Sequence, residues 1–136
     1  MKLLSLFSGC GGMDIGFEGQ FVCHRKSINT NIHPDWIIEE NDDWVTVAPT
    51  IFDTVFANIR PDAKAAWVSY FGKRKKDAND IYHLNSIVDL VKQAKEGKKV
   101  FPKNIDIVTG GFPCQDFSIA GKRKGFNSQK SHLGGA

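Results

Sequence analysis

Apolar runs too short to be helices alternate along this chain with segments whose apolar residues recur at helical spacing. Lys2-Leu-Leu-Ser-Leu-Phe7 reads as a buried parallel strand. It stops in Ser8-Gly9-Cys10-Gly11-Gly12, and Met13-Asp-Ile-Gly-Phe17 then has helical spacing. Residues 52–57 predict a second strand. Pro61 suits the first turn of a following helix, with Ala63, Ala66, Trp67 and Tyr70 on one face and Gly72 as its cap. Residues 84–96 form another amphipathic helix, with Ile87, Leu90, Val91 and Ala94 inward and Gly97 after it. Residues 105–108 predict a further buried strand, broken at Gly110-Gly111. The order β-α-β-α-β predicts a doubly wound α/β parallel sheet.

Residues 19–50 do not follow this rhythm. Phe21-Val-Cys23 suits a short strand, but Ser27-Ile-Asn-Thr-Asn-Ile-His-Pro34 is turn-rich, and Trp36 and Trp44 flank an acidic segment. The stretch reads as an excursion with some ordered structure, pinned by its aromatics.

Composition is that of an ordinary soluble domain, 41% hydrophobic and 24% charged over 136 residues. The net charge of +3 is unevenly spread: Lys73-Arg74-Lys75-Lys76 and Lys122-Arg123-Lys124 are basic, and residues 39–43 are acidic. Such basic clusters are by default solvated loops, and a polyanion partner is the sharper alternative. Cys10, Cys23 and Cys114 fit no zinc spacing, and His24 and His33 do not complete one. No metal is therefore expected. Without a secretory signal before the first strand or an apolar run able to span a bilayer, the expected setting is reduced and cytoplasmic.

Two places carry candidate chemistry. A strand, a glycine turn and a helix start together bring bare backbone and free N–H groups to a nucleotide-like ligand. The Gly-x-Gly-Gly spacing of residues 9–12 is not the dinucleotide fingerprint, which argues against nicotinamide or flavin. At the end of the last strand, Pro113 presents Cys114 after a glycine pair, where a thiol is a candidate nucleophile and the plain alternative is a loop cysteine.

Leu6-Phe-Ser-Gly-Cys-Gly-Gly-Met-Asp-Ile-Gly-Phe17 and Gly110-Gly-Phe-Pro-Cys-Gln-Asp-Phe-Ser118 together resemble the DNA (cytosine-5)-methyltransferases. The first is similar to their cofactor motif. The second, begun at Asp106, is similar to their catalytic Pro-Cys signature, and residues 119–126 to their catalytic loop. The resemblance runs from Leu3 to Gly125 and implies a Rossmann-like, S-adenosylmethionine-dependent fold. Residues 1–125 would form the N-terminal part of the catalytic domain and 126–136 a polar, mobile tail.

The resemblance implies DNA cytosine-5 methylation of the restriction–modification type. Cys114 would attack carbon 6 of a cytosine flipped out of double-stranded DNA, since carbon 5 alone is a poor nucleophile. Phe7 would pack on the adenine of S-adenosylmethionine, Ser8, Gly9, Cys10 and Gly12 would wrap its methionine part, and Gly111 and Pro113 would border it. Gln115, Ser118, Lys122 and Arg123 would contact DNA. Cys10 otherwise reads as a turn residue, Cys23 as a core residue, and Trp67 as a core anchor.

The sequence also departs from the family. After Asn58 the acid that would hold the cofactor ribose is missing, as though one residue had been dropped, leaving Asn58 and Ile59 at that position. Each lost charged hydrogen bond removes about 1.5–3 kcal/mol. Asn85, beside Ser86, stands where an acid near the adenine amino group is expected, with Asp80 as an alternative acceptor. The glutamate and arginine motifs and the target-recognition domain do not occur in these 136 residues. The expectation is an incomplete sheet with an exposed apolar face and edge, and a chain inactive unless a second polypeptide supplies those motifs. The alternative is a non-catalytic cofactor- or DNA-binding remnant.

Overall fold

The structure, a computed structural model, describes residues 1–112. Its centre is β1 (Lys2–Leu6), with β5 (Asp53–Asn58) parallel on one side and β7 (Ile107–Gly110) parallel on the other. A two-residue strand, β6 (Tyr82–His83), extends the sheet beyond β5, giving the order β6-β5-β1-β7, all parallel. The chain builds outward from β1 through β5 and β6, then crosses back to lay β7 on the other side of β1. The switch point of this doubly wound α/β sheet therefore lies between β1 and β7, where the strand ends open a crevice.

Successive residues of a strand face opposite ways, so each central strand feeds two cores. Ala57 joins Trp67 and Phe71 of α2 (Pro61–Phe71), Ala78 and Ile81 of α3 (Ala78–Ile81), and Tyr82 on one face. Leu4 and Phe56 join Ile87 and Leu90 of α4 (Ile87–Lys95) on the other. Val91 and Ala94 are half-buried beside them. The helical phases differ in detail from expectation. In α2 the buried residues are Trp67 and Phe71, while Ala66 is exposed. In α1 (Gly12–Glu18) they are two carboxylates, Asp14 and Glu18, while Met13 lies in solvent. The strand expected to be buried, β7, is instead half-exposed at the edge of the described sheet, with Val108 and Phe112 open to solvent. Asp106 sets its register: its carboxylate accepts from the N–H of Lys2 at 2.7 Å, and its N–H donates to the Lys2 carbonyl.

The excursion folds as a separate antiparallel sheet of β2 (Val22–His24), β3 (Ile37–Asn41) and β4 (Trp44–Val47), in the order β2-β4-β3. Its anchors are aliphatic. Val45 and Val47 are buried, whereas Trp36 stacks on His33 and Trp44 meets His24 edge-on, both at the surface. The basic cluster after α2 is not wholly solvated either. Lys75 bridges Glu18 and Asp53, and Arg74 lies near Glu18 and over the Tyr70 and Phe71 rings.

Candidate cofactor and catalytic site

At the carboxyl end of β1 the backbone turns sharply. Phe7, Gly9 and Gly11 all have positive φ, at 54°, 56° and 93°. The turn closes with Gly11 N–H donating to the Ser8 carbonyl, and Gly11 then caps α1, its own carbonyl accepting from Ile15. The glycines serve different ends. A Cβ on Gly11 would lie 2.6 Å from Trp67 Cδ1 and 2.9 Å from Phe71, so the fold itself requires glycine there. Among the described residues, a Cβ on Gly9 or Gly12 would meet nothing within 4 Å.

Ser8 ties this loop to β5. Its N–H donates to the Asn58 carbonyl and its hydroxyl to the Ser5 carbonyl, while the Asn58 N–H donates to Ser8 Oγ. Asn58 is fully buried, and its side-chain amide donates to the carbonyls of Asn85 at 2.8 Å and His83 at 3.4 Å. Asn58 thus fastens the ends of β1, β5 and β6 together and has no donor left for a ribose hydroxyl. Its Oδ1 is buried without a hydrogen-bond partner among the described residues. Ile59 follows at φ 147°, a strained backbone for a β-branched residue, of the kind that gathers at functional sites.

The other walls come from β6 and β7. Tyr82 donates its hydroxyl to the Gly9 carbonyl at 2.9 Å. Burial pushes the Tyr82 hydroxyl pKa up, and burial likewise raises that of the Asp14 carboxyl, which accepts from Trp67 Nε1 at 2.8 Å. Across the switch point, Gly111 N–H donates to the Leu6 carbonyl at 3.3 Å, and a Cβ on Gly111 would stand 3.8 Å from the Phe7 carbonyl. Among the described residues, nothing would hinder a side chain at Gly111.

Phe7, Ser8, Gly9, Cys10, Gly12, Asn58, Ile59, Asn85, Ser86 and Gly111 all lie on one edge, at or just after the ends of β1, β5, β6 and β7. Cys10, Asn85 and Ser86 are exposed there, and Phe7 is half-buried. Pro113, Cys114, Gln115, Ser118, Lys122 and Arg123, with the tail at 126–136, lie outside the described residues. Asp14, Tyr82 and Ser5 escaped the reading by residue type. A carboxylate inside an apolar-spaced helix and a tyrosine before a polar loop carry no motif. A cavity of about 610 Å³ lies elsewhere, between the end of α1 and the excursion, lined by Phe21, Cys23, Trp36 and Val47 among others. Among the described residues no three His, Cys, Asp or Glu side chains could hold a metal ion, and no helix is long and apolar enough to cross a membrane.

The profile of the C-5 cytosine-specific DNA methylases matches residues 62–134, more than half of the chain. This chain belongs to that family. Among curated relatives, the Type II methyltransferase M.AquIA of Picosynechococcus sp. is 35% identical over 97% of this chain and 40% of its own length. The Type II methyltransferase M.BsuRI of Bacillus subtilis is 31% identical over 90% of this chain and 25% of its own. The Type II methyltransferase M.HpaII of Haemophilus parainfluenzae is 51% identical over 29% of this chain and 11% of its own length. The chain thus spans less than half the length of these relatives. No solved structure matches it.

Proposed function

We propose that this chain carries the cofactor-binding and nucleophile-bearing part of a DNA cytosine-5 methyltransferase of the restriction–modification type. The observation that carries the reading is the crevice at the β1–β7 switch point. A glycine loop with open space over Gly9 and Gly12 faces Gly111, three residues before Cys114 in sequence.

The residues present fit S-adenosylmethionine. Gly9, Gly12 and Gly111 leave room for backbone to approach a ligand closely, half-buried Phe7 offers an aromatic edge, and Asn85 and Ser86 lie at the neighbouring strand end. S-adenosylmethionine, when bound, supplies an electrophilic methyl group. The Asn58 side-chain N–H groups hold the residues after β6 by donating to the His83 and Asn85 carbonyls, and its Oδ1, without a partner among the described residues, is the acceptor it would offer a ribose hydroxyl.

The Cys114 thiolate attacks carbon 6 of a flipped cytosine, forming an S–C6 bond and moving the C5–C6 π electrons to carbon 5. Carbon 5 would then take the methyl as its bond to the bound cofactor's sulfonium sulfur breaks and leaves a neutral thioether. Loss of the carbon 5 proton to water or a base, with expulsion of the thiolate, would restore the aromatic ring. Lys122 and Arg123 supply positive charge for the thiolate and for DNA phosphates, and Gln115 and Ser118 contact DNA near the target. Proton transfer to the ring and recognition of the DNA site are assigned to residues outside this sequence, whether in the same polypeptide or in a second one.

The test is transfer of labelled methyl from S-adenosylmethionine to unmethylated duplex DNA, with and without the polypeptide encoded next to this chain. Transfer that Cys114→Ser abolishes supports the reading. Full transfer by Cys114→Ser, or no affinity of the chain for S-adenosylmethionine by calorimetry, defeats it.

A further inference from the structure

Beneath the glycine loop lies a single aromatic cluster drawn from α2 and β6. Trp67 is fully buried and stacks on Phe71 at 4.3 Å, with Tyr82 at 5.7 Å. Each member touches the loop or its helix. Trp67 Cδ1 and Phe71 occupy the space a side chain at Gly11 would need, Trp67 Nε1 donates to Asp14 Oδ2, and the Tyr82 hydroxyl donates to the Gly9 carbonyl. Asp14 is fully buried in the first turn of α1, and its Oδ1 has no hydrogen-bond partner among the described residues.

A leucine or phenylalanine pair would fill this space without burying a carboxylate, and a buried polar group is expensive unless it is paired. The Asp14–Trp67 bond is thus a poor way to stabilise a core. It is, however, directional: it fixes the rotation of the indole that lies against Gly11 and joins the start of α1 to α2. We propose that Trp67 is a positioning residue for cofactor binding, holding residues 7–12 in their binding shape through Asp14 and Gly11, with Tyr82 as a second support at Gly9. This rests on the cofactor reading above.

The experiment compares the wild-type chain with Trp67→Phe, Tyr82→Phe and Val45→Ala. Val45 is buried in the separate three-stranded sheet, outside both clusters that flank the parallel sheet, and serves as a control for lost stability. Two quantities are measured at a temperature where each protein is folded by near-ultraviolet circular dichroism. One is amide hydrogen exchange at Gly11 and Ile15, whose N–H groups close the turn and open the helix. The other is calorimetric affinity for S-adenosylmethionine.

Trp67→Phe is expected to speed exchange at both amides and weaken affinity about tenfold, as loss of one charged hydrogen bond allows. Val45→Ala is expected to lower the unfolding midpoint and leave both quantities unchanged. If Trp67→Phe does not fold, Tyr82→Phe, which deletes only the hydroxyl, must show the same two changes at Gly9–Gly11 or the proposal fails. Unchanged loop exchange in Trp67→Phe, or an equal response in Val45→Ala, overturns it. Faster exchange with wild-type affinity overturns the link to the cofactor. A wild-type chain that binds no S-adenosylmethionine overturns the cofactor reading itself, and the exchange data then decide the loop alone.

Discussion

Ser8 and Asn58 are hydrogen-bonded to each other twice. The Ser8 N–H donates to the Asn58 carbonyl and the Asn58 N–H donates to Ser8 Oγ, each at 3.0 Å. The pair closes the ends of β1 and β5 against one another, and the Asn58 side chain extends the lock to the loop after β6. Ser8→Ala leaves the buried Asn58 N–H without its acceptor. It should lower unfolding free energy by about 1–3 kcal/mol, read from the urea midpoint at unchanged slope. A midpoint equal to wild type would show that the Ser8 hydroxyl is not holding the strand ends.

Gly11 and Gly12 are adjacent, yet their substitution should have opposite consequences. Gly11→Ala places a methyl against Trp67 and Phe71 at φ 93° and should destabilise by at least about 1–3 kcal/mol from overpacking alone. Gly12→Ala meets open space in the first turn of α1 and should leave thermal stability equal or slightly higher. If Gly12 borders S-adenosylmethionine as proposed above, the added methyl should nonetheless weaken its binding. Calorimetry and thermal unfolding of the two variants separate packing from binding.

The acid at position 18 is the hub of the far end of α1. Glu18 accepts the Thr54 N–H at 3.1 Å and pairs with Lys75 at 3.2 Å, all at low exposure. Glu18→Ala orphans the Thr54 N–H and leaves Lys75 with only the exposed Asp53. Breaking a buried pair on one side costs about 3–5 kcal/mol. Lys73→Ala, at an exposed neighbouring position, should change stability by less than about 0.5 kcal/mol. Chemical denaturation of both variants checks the contrast within one basic cluster.

His83 makes stability fall on the acid side. It stacks on Phe56 at 4.4 Å, and burial, aided by the Lys64 charge and opposed by Asp80, holds its pKa below the ordinary 6.5. A depressed folded value means the unfolded chain binds the proton more readily. The stabilising contribution is therefore present above about pH 6.5 and is lost as pH falls below it. His83→Gln removes this term. The difference in stability between wild type and variant should shrink between about pH 7 and pH 5. A pH-independent difference would mean that His83 titrates alike in both states.

Several elements were legible because they are local. The run at residues 2–7, the cap at Gly72 and the helix around Ile87 and Leu90 follow from apolar period and from the residue types that end helices. The family, too, stands in two short strings of residues, and the profile match and relatives bear it out. The aromatics of residues 19–50 misled. Trp36 and Trp44 read as anchors, but Val45 and Val47 are the buried residues of the three-stranded sheet, and both tryptophans lie at the surface. The edge position of β7 was hidden because an apolar strand reads alike at the centre of a sheet and at its border.

What the order of residues determined here is the alternation of strands and helices and the placing of glycine loops at strand ends, both set by near-neighbour sterics and apolar spacing. What only the tertiary structure decided is which glycine is packed and which is open, and what Asn58, Asp14 and Glu18 do. Gly11 is filled by Trp67 from 56 positions away in the chain, Asn58 bonds to Asn85 and Ser8, and Glu18 faces Thr54 and Lys75. The physical reason is the same in each case. A polar group or a missing side chain acquires its meaning from the partner that folding brings to it, and those partners are distant in sequence.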